Sequence, residues 1–412
     1  LGIRYLWIDS LCIVQNDRED WEREAPKMAD IYGNSFLTLS ATAASNSSEG
    51  LFPANDSTRP VPYGINITDI YGEEVNVFVR QVVDHEAFTT LGAFLGEQNS
   101  LPLMRRAWCF QEHILSSRVI QFSKHDIVWE CNEMLECSCG DTQDTGSQKA
   151  IFTQFRNAWD DENYDEDIMK ELYHRCWVQC VVSPYTARLL TEQTDRIVAL
   201  SGVAQVIESC YNDQYLAGLW RTDVVNGLCW YRQRTDEPPS RRPAEYLAPT
   251  WSWASVNSHV RWSHWYIKSS ESDIEIIDAK CTQSMNSSTG AVQDGSLNIS
   301  GPLIQGQYSY RDIRGKKRYF VNINSIEQSF VPDVKLESLE EVTGAGGKIF
   351  LLRICHTMTL KHGIPEKLFP NTRALVLIRG FNCFQRIGYL ETYDEEVLHW
   401  FKDSRSHTVL IS

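Results

Sequence analysis

The run RYLWIDSLCIVQ at residues 4–15 limits the fold more than any other stretch, because it sets a carboxylate and a polar turn directly behind an apolar segment of strand length. Behind Asn16 and Asp17 come Trp21, Ala25, Met28, Ile31 and Tyr32, whose spacing places the large apolar groups on one face of a helix. The segment FLTLSA at 36–41 then reads as a second strand. A β-turn-α-β unit of this kind predicts two parallel strands joined by a right-handed crossover. On this reading the first strand is buried and delivers Asp9, at its carboxyl end, to a groove beside a later helix.

Residues 63–79 alternate apolar and polar side chains about Tyr71 and Gly72, the pattern of a hairpin. Residues 102–116 read as a helix and 118–131 as two strands turning at Lys124, His125 and Asp126. The first unit is therefore expected to be α/β, a mixed sheet with a hairpin insertion. Residues 140–165 are acidic and rich in Gly, Ser, Gln and Asn, so part of this run is expected to be a mobile connection. From 166 to 235 apolar residues such as Leu172, Cys176, Ile197, Leu200, Val203 and Ile207 recur at helical steps. Beyond 260, short β-like runs at 273–277, 296–300, 318–323, 348–354, 374–378 and 386–390 predict an antiparallel sandwich or barrel. The expected division is 1–140 for the α/β unit, 141–265 for a helical region and 266–412 for a β-rich region.

A chain of 412 residues that is 42% apolar can bury two or three cores. Its net charge of −15 argues against nucleic acid as a partner, since phosphate binding needs clustered cations; the basic pairs at 105–106, 241–242 and 316–317 read as solvated or structural. An apolar run of the ~18 residues that cross a bilayer does not occur, so no membrane span is expected. The 12 cysteines are scattered, and Cys12, Cys176, Cys180, Cys229 and Cys355 fall inside apolar runs, which reads as reduced, buried thiols. Sequons at Asn46, Asn55, Asn66, Asn286 and Asn298 would suit secretion; the cysteine usage favours the cytoplasm.

The stretch RYLWIDSLCIVQND, with Trp21 and MADIY at 28–32, and the later block RRAWCFQEHILSSR at 105–118, resemble the fungal heterokaryon-incompatibility (HET) domain. Segments 189–204, 215–231 and 248–256 resemble the usual continuation of such proteins. The resemblance implies a fungal non-self recognition effector that triggers growth arrest or programmed cell death through cytoplasmic protein partners. Family members begin with a further strand and an aromatic, Gly-containing block, so the chain is expected to be N-terminally truncated, with a first strand open to self-association. HET domains are also similar to Toll/interleukin-receptor (TIR) domains, which implies a TIR-like, Rossmann-like sheet. Some TIR domains cleave NAD, and an NAD glycohydrolase is the alternative function, with NAD as substrate and no cofactor.

For that alternative, Asp9 and Glu112 are the candidate catalytic carboxylates, able to stabilise an oxocarbenium ion or orient a ribose. Asp9 is equally suited to capping the turn that follows it. Gln15, with Asn16 and Asp17, opens a helix and suits either an anion site or ordinary capping. Arg105, Trp108, Gln111 and Glu112 lie together on the later helix, where Glu112 can be tuned or can pair with Arg105 or Arg118. Trp7 and Trp108 carry the motif and suit core packing. Cys131, Cys137 and Cys139, near His113 and His125, are spaced C-x5-C-x-C, which lacks the paired CxxC of a zinc site; no metal is expected. Trp220, Trp230, Trp251, Trp253 and Trp262 read as core.

Overall fold

A computed structural model of the protein describes residues 2–52, 63–79, 101–124, 126–140, 143–144, 147–158, 165–233, 241–263, 265–283, 288–336, 347–361 and 364–412. Its chain divides into two compact units, one of Ala29–Gln154 and one that joins Leu1–Met28 to Phe155–Ser412.

The opening run is not a strand. Residues 2–8 have no regular structure, and Asp9–Cys12 form one helical turn, α1, held by the Cys12 N–H on Ile8 O and the Ile13 N–H on Asp9 O, both at 2.9 Å. Tyr5, Leu6 and Leu11 are 90%, 76% and 79% exposed, and Cys12, expected to be buried, is exposed as well. An extended segment persists where a neighbouring strand takes up its backbone N–H and C=O groups. Among the described residues no strand pairs with this one, and local i to i+4 bonds take over for a single turn.

The helix behind it forms where the apolar spacing predicts. Helix α2, Arg18–Glu24, is capped by the Asp17 carboxylate, which accepts the Glu19 and Asp20 N–H groups at 3.0 and 3.1 Å. Pro26 then turns Ala25–Lys27 into a 3-10 segment before α3, Met28–Gly33, resumes. Ala25 and Met28 are buried, and Asp20 accepts the Val14 N–H at 2.7 Å, which fastens the end of the opening run to α2.

In the unit of residues 29–154, β1 (Thr38–Ser40) is the second expected strand. The hairpin follows as β2 (Tyr63–Thr68) and β3 (Glu74–Val79). Helix α4 (Trp108–Leu115) leads into β4 (Arg118–Phe122), β5 (Ile127–Cys131), β6 (Leu135–Cys137) and β7 (Gln143–Asp144). The five-stranded sheet runs β1-β4-β5-β6-β7, so the parallel partner of β1 is β4 and not the opening run, while the other neighbours are antiparallel. The expected α/β class holds as a mixed sheet. Within the run 140–165, helix α5 spans Gln148–Ala158, with Ala150 and Phe152 buried; the apolar residues of that helix are diluted by polar neighbours in the averaged composition.

The other unit begins its second part with α6, Glu166–Arg175, capped by Asp165 and continuing through a π-helical segment, Cys176–Val182, into α7, Ser183–Thr186. Short α8 (Asp195–Val198) and α9 (Ser201–Tyr211) complete the expected helical stretch. A tight hairpin of β8 (Tyr215–Leu216) and β9 (Leu219–Trp220) turns at Gly218, whose φ of +101° and whose contact with the Trp253 ring both require glycine. The Gly218 carbonyl accepts the indole N–H groups of Trp177 and Trp253 at 2.9 and 2.8 Å. After α10 (Val224–Gly227), β10 (Trp230–Arg232) pairs with β11 (Val260–Trp262). Trp220, Trp230, Trp251, Trp253 and Trp262 are buried, as core packing predicts.

The β-rich region comprises β12 (Glu275–Gln283), β13 (Val292–Ile313), β14 (Lys316–Ile323), β15 (Ile326–Pro332), β16 (Lys348–Lys361), β17 (Ile364–Arg379), β18 (Phe384–Thr392) and β19 (Ser406–Ile411). Gln307 of β13 pairs with Asn322 of β14 on one edge and Lys348 of β16 on the other. This closes a ring, β13-β14-β15-β18-β17-β16 and back to β13, so the region is a barrel. Val321, Ile349, Leu351, Val376, Ile387 and Leu390 fill its core, with Trp400 and Phe401 packed among them. The long β13 reaches past the ring, where β12 and β19 flank its first half. Among the described residues no helix is long and apolar enough to cross a membrane.

Candidate functional site

The expected site residues fall in both units. Trp7 is half-buried in the irregular opening, Asp9 is exposed with its Oδ1 accepting the Ser10 N–H at 2.7 Å, and the Gln15 amide donates to Ile13 O at 2.9 Å. These contacts shape the turn, and Asp17 does the capping. In the second unit Arg105 is exposed at the end of a 3-10 turn, Pro102–Arg105, Trp108 and Glu112 are half-buried on α4, and Gln111 is 1% exposed on its inner face. The sequence thus places Trp108, Gln111 and Glu112 on one helix, as expected.

The most concentrated chemistry of this unit lies one residue further on. Strands β4 and β5 turn Val119, Gln121, Val128 and Glu130 to the same buried face, so alternation places two polar side chains in a core. Glu130, 2% exposed, receives His113 Nε2 at 2.5 Å and the Gln121 amide at 2.9 Å. Lys149 of α5, with no exposure, donates from Nζ to His113 O at 2.5 Å and Ser116 O at 2.7 Å, carbonyls at the carboxyl end of α4 where a cation is favoured. Ser116 Oγ meets Thr38 Oγ1 at 2.7 Å, which adds β1 to the network.

Burial pushes the Glu130 carboxyl upward, but His113, Lys149 and Ser147 outweigh it and hold the group at about 2. Burial lowers Lys149 to about 8 against the opposing pull of Glu130 and Cys131. A carboxylate-oriented imidazole is the pattern of a proton-transfer pair. The same contacts also bind α4, α5, β4 and β5 together. Sequence reasoning named His113 only as a neighbour of the cysteines and missed Gln121, Glu130 and Lys149; the signal for Gln121 and Glu130 was their inward position on otherwise apolar strands, and Lys149, on α5, carried none.

Of the cysteines and histidines weighed against a zinc pattern, Cys131 stands apart, His125 lies outside the described residues, and Cys137 and Cys139 come together with Asp126. Burial raises the Cys137 thiol to about 12. In the other unit a second buried pair joins His174 Nδ1 to Asp223 Oδ2 at 2.5 Å. A cleft of about 770 Å³ opens beside the barrel, lined by Arg232, Arg314, Lys316, Lys317, Arg318 and Lys335 against Asp312 and Glu391. The pair Lys316 and Lys317 therefore belongs to a local cationic field within an acidic chain, with Lys317 Nζ 5.0 Å from the centre of the Tyr310 ring.

Comparison with known proteins agrees with the motif reading. Residues 1–112 match the family described as Heterokaryon incompatibility protein (HET). Neither a curated protein nor a solved structure matches the chain. The matched segment contains the opening run, α2, α3, β1 and the first part of α4 through Glu112, and it ends just before His113. Residues 1–112 are therefore the segment of the chain that matches the HET family.

Proposed function

We propose that the chain is an effector of heterokaryon incompatibility, a fungal non-self recognition protein that triggers growth arrest or cell death when it engages an incompatible protein partner in the cytoplasm. The observation that carries this reading is the family match over residues 1–112. It is supported by the exposed apolar side chains of Ile3, Tyr5, Leu6, Leu11 and Val14 inside that segment, because large apolar side chains clustered in sequence and exposed to water suit a protein interaction site.

The test is inducible expression of the chain in a fungal host, with growth and membrane integrity followed over time. Arrest that is lost on combining Leu6→Ser and Leu11→Ser in a chain that still folds supports the reading; unimpaired growth in every compatible and incompatible background tested overturns it. NAD cleavage by a TIR-like route through Asp9 or Glu112 is the competing account. Nicotinamide release measured in the same cells, with Asp9→Ala and Glu112→Ala beside the wild type, decides between them, since an enzyme loses release and killing together.

A further inference from the structure

The hairpin of β5 and β6 brings three metal-binding groups together from separate points in the sequence. Asp126 stands immediately before β5, Cys137 ends β6, and the pairing of Val128 with Cys137 sets the two side by side. Cys139 follows in a turn closed by the Gly140 N–H on Cys137 O at 2.9 Å, with Gly140 at φ +76°. One oxygen of Asp126 and the sulfurs of Cys137 and Cys139 all lie within 4.8 Å of one another. Asp126 is 8% exposed, Cys137 is 2% exposed and Cys139 is half-buried, so the group faces the edge of the protein rather than open solvent.

We propose that Asp126, Cys137 and Cys139 bind a thiophilic divalent cation, Zn2+ in the first place. Tetrahedral zinc at bond lengths of about 2.3 Å to sulfur and about 2.0–2.2 Å to oxygen needs donors roughly 3.5–3.8 Å apart. Donors that already lie within 4.8 Å of one another need only a small closure to reach that spacing. The Cys139 N–H points at Cys137 Sγ at 3.4 Å, and Ser138 Oγ lies 3.4 Å from Asp126 Oδ1, where it steadies the carboxylate. Ser123 Oγ and the Asp126 backbone bond to each other in both directions, which fixes the strand entry. Three protein donors leave one coordination position for water or an exchangeable ligand. A search for paired cysteine motifs overlooks this site because its third donor is a carboxylate eleven residues ahead of Cys137.

The experiment is a Co2+ titration of the full chain after reduction and removal of metal by chelator. The expected result is a thiolate-to-cobalt charge-transfer band with intense visible bands of tetrahedral cobalt, both lost on adding Zn2+. Cys137→Ser and Cys139→Ser each abolish the charge transfer or reduce it by half, Asp126→Asn weakens binding by about 10-fold or more, and Cys131→Ser leaves the spectrum unchanged. In the wild-type chain, independently of any variant, Zn2+ slows alkylation of Cys137 and Cys139 by iodoacetamide, read by peptide mass spectrometry, while exposed Cys12 reacts at its former rate. Absence of the charge-transfer band in the wild type, or alkylation of Cys137 and Cys139 that Zn2+ does not slow, overturns the proposal.

Discussion

Replacing Glu130 by Gln removes a charge and keeps the shape, which isolates the electrostatics of the buried network around α4. The carboxyl is held from 4.5 down to about 2 even though burial works in the opposite direction. At about 1.4 kcal/mol per unit, the folded state favours the ionised over the protonated side chain by about 3 kcal/mol more than the unfolded chain does, which is the order of loss when one partner of a buried pair is removed. The folded value lies below the unfolded one, so this stabilisation is present above pH 4.5 and is lost as the pH falls from 4.5 through 2. Glu130→Gln should therefore destabilise the unit of residues 29–154 by about 3 kcal/mol at pH 7 and flatten its acid dependence below pH 4.5. Because the chain has two compact units, a single unfolding transition is not assumed. Native-state hydrogen exchange of peptides covering 108–131, over a urea series at pH 7 and again at pH 3.5, reads the relevant amides directly. A loss below about 0.5 kcal/mol at pH 7, the scatter of ordinary surface substitutions, or an unchanged acid slope in the variant refutes the reasoning. Adding His113→Phe to the variant should restore part of the loss, since apolar replacement of a whole buried pair is often close to neutral.

Three further outcomes follow from the other unit. Arg386, with no exposure, donates to Leu228 O at 2.6 Å, to Trp230 O and to Asp333 at 3.2 Å, and lies over the Trp230 ring; Arg386→Met leaves the Asp333 charge poorly compensated and should cost about 3–5 kcal/mol in urea unfolding, with recovery on adding Asp333→Asn. Gly388 sits where β15 meets β18, and a Cβ there would stand 2.7 Å from the Val331 carbonyl oxygen, so Gly388→Ala should lower barrel stability by about 1–3 kcal/mol in thermal unfolding. Leu6→Ser and Leu11→Ser, at side chains 76% and 79% exposed, should each change stability by less than about 0.5 kcal/mol while reducing light scattering at high concentration; a loss of 2 kcal/mol or more (roughly a buried leucine) would mean that these residues are packed.

The elements that periodicity located are those whose own residues settle their partners. The hairpin of β2 and β3 pairs across a short Gly72 turn, and β4 with β5 across another, so alternation and turn chemistry suffice. Asp17 caps α2 through its own neighbours in sequence. The opening run shows the limit of this reasoning, because its apolar pattern is that of a strand but a strand is a property of two segments, and the described structure supplies it no second one. The barrel shows the same limit from the other side: the β-like runs were legible one by one, while ring closure depends on Gln307 meeting partners on both edges, which no single run encodes.

The site was legible only where a motif carried it. The block around Trp108 was found because its residue order is unusual, and the helix it forms is the one expected. Glu130 and Lys149 belong to no motif; each is an ordinary charged residue until β4, β5 and α5 fold and the water around it is removed. That removal supplies the information, since the same carboxylate on a surface would gain at most about 1 kcal/mol from a charged neighbour, whereas inside the sheet removing it leaves His113 and Lys149 buried without its charge, at several times that cost. Asp126 is a parallel case, for its nearness to Cys137 is fixed by strand register and not by distance along the chain. A polar residue at an inward-facing strand position is thus the sequence signal to follow in a chain of this kind: such a residue is costly unless a partner is present, and here the partner lies on a separate element in each case.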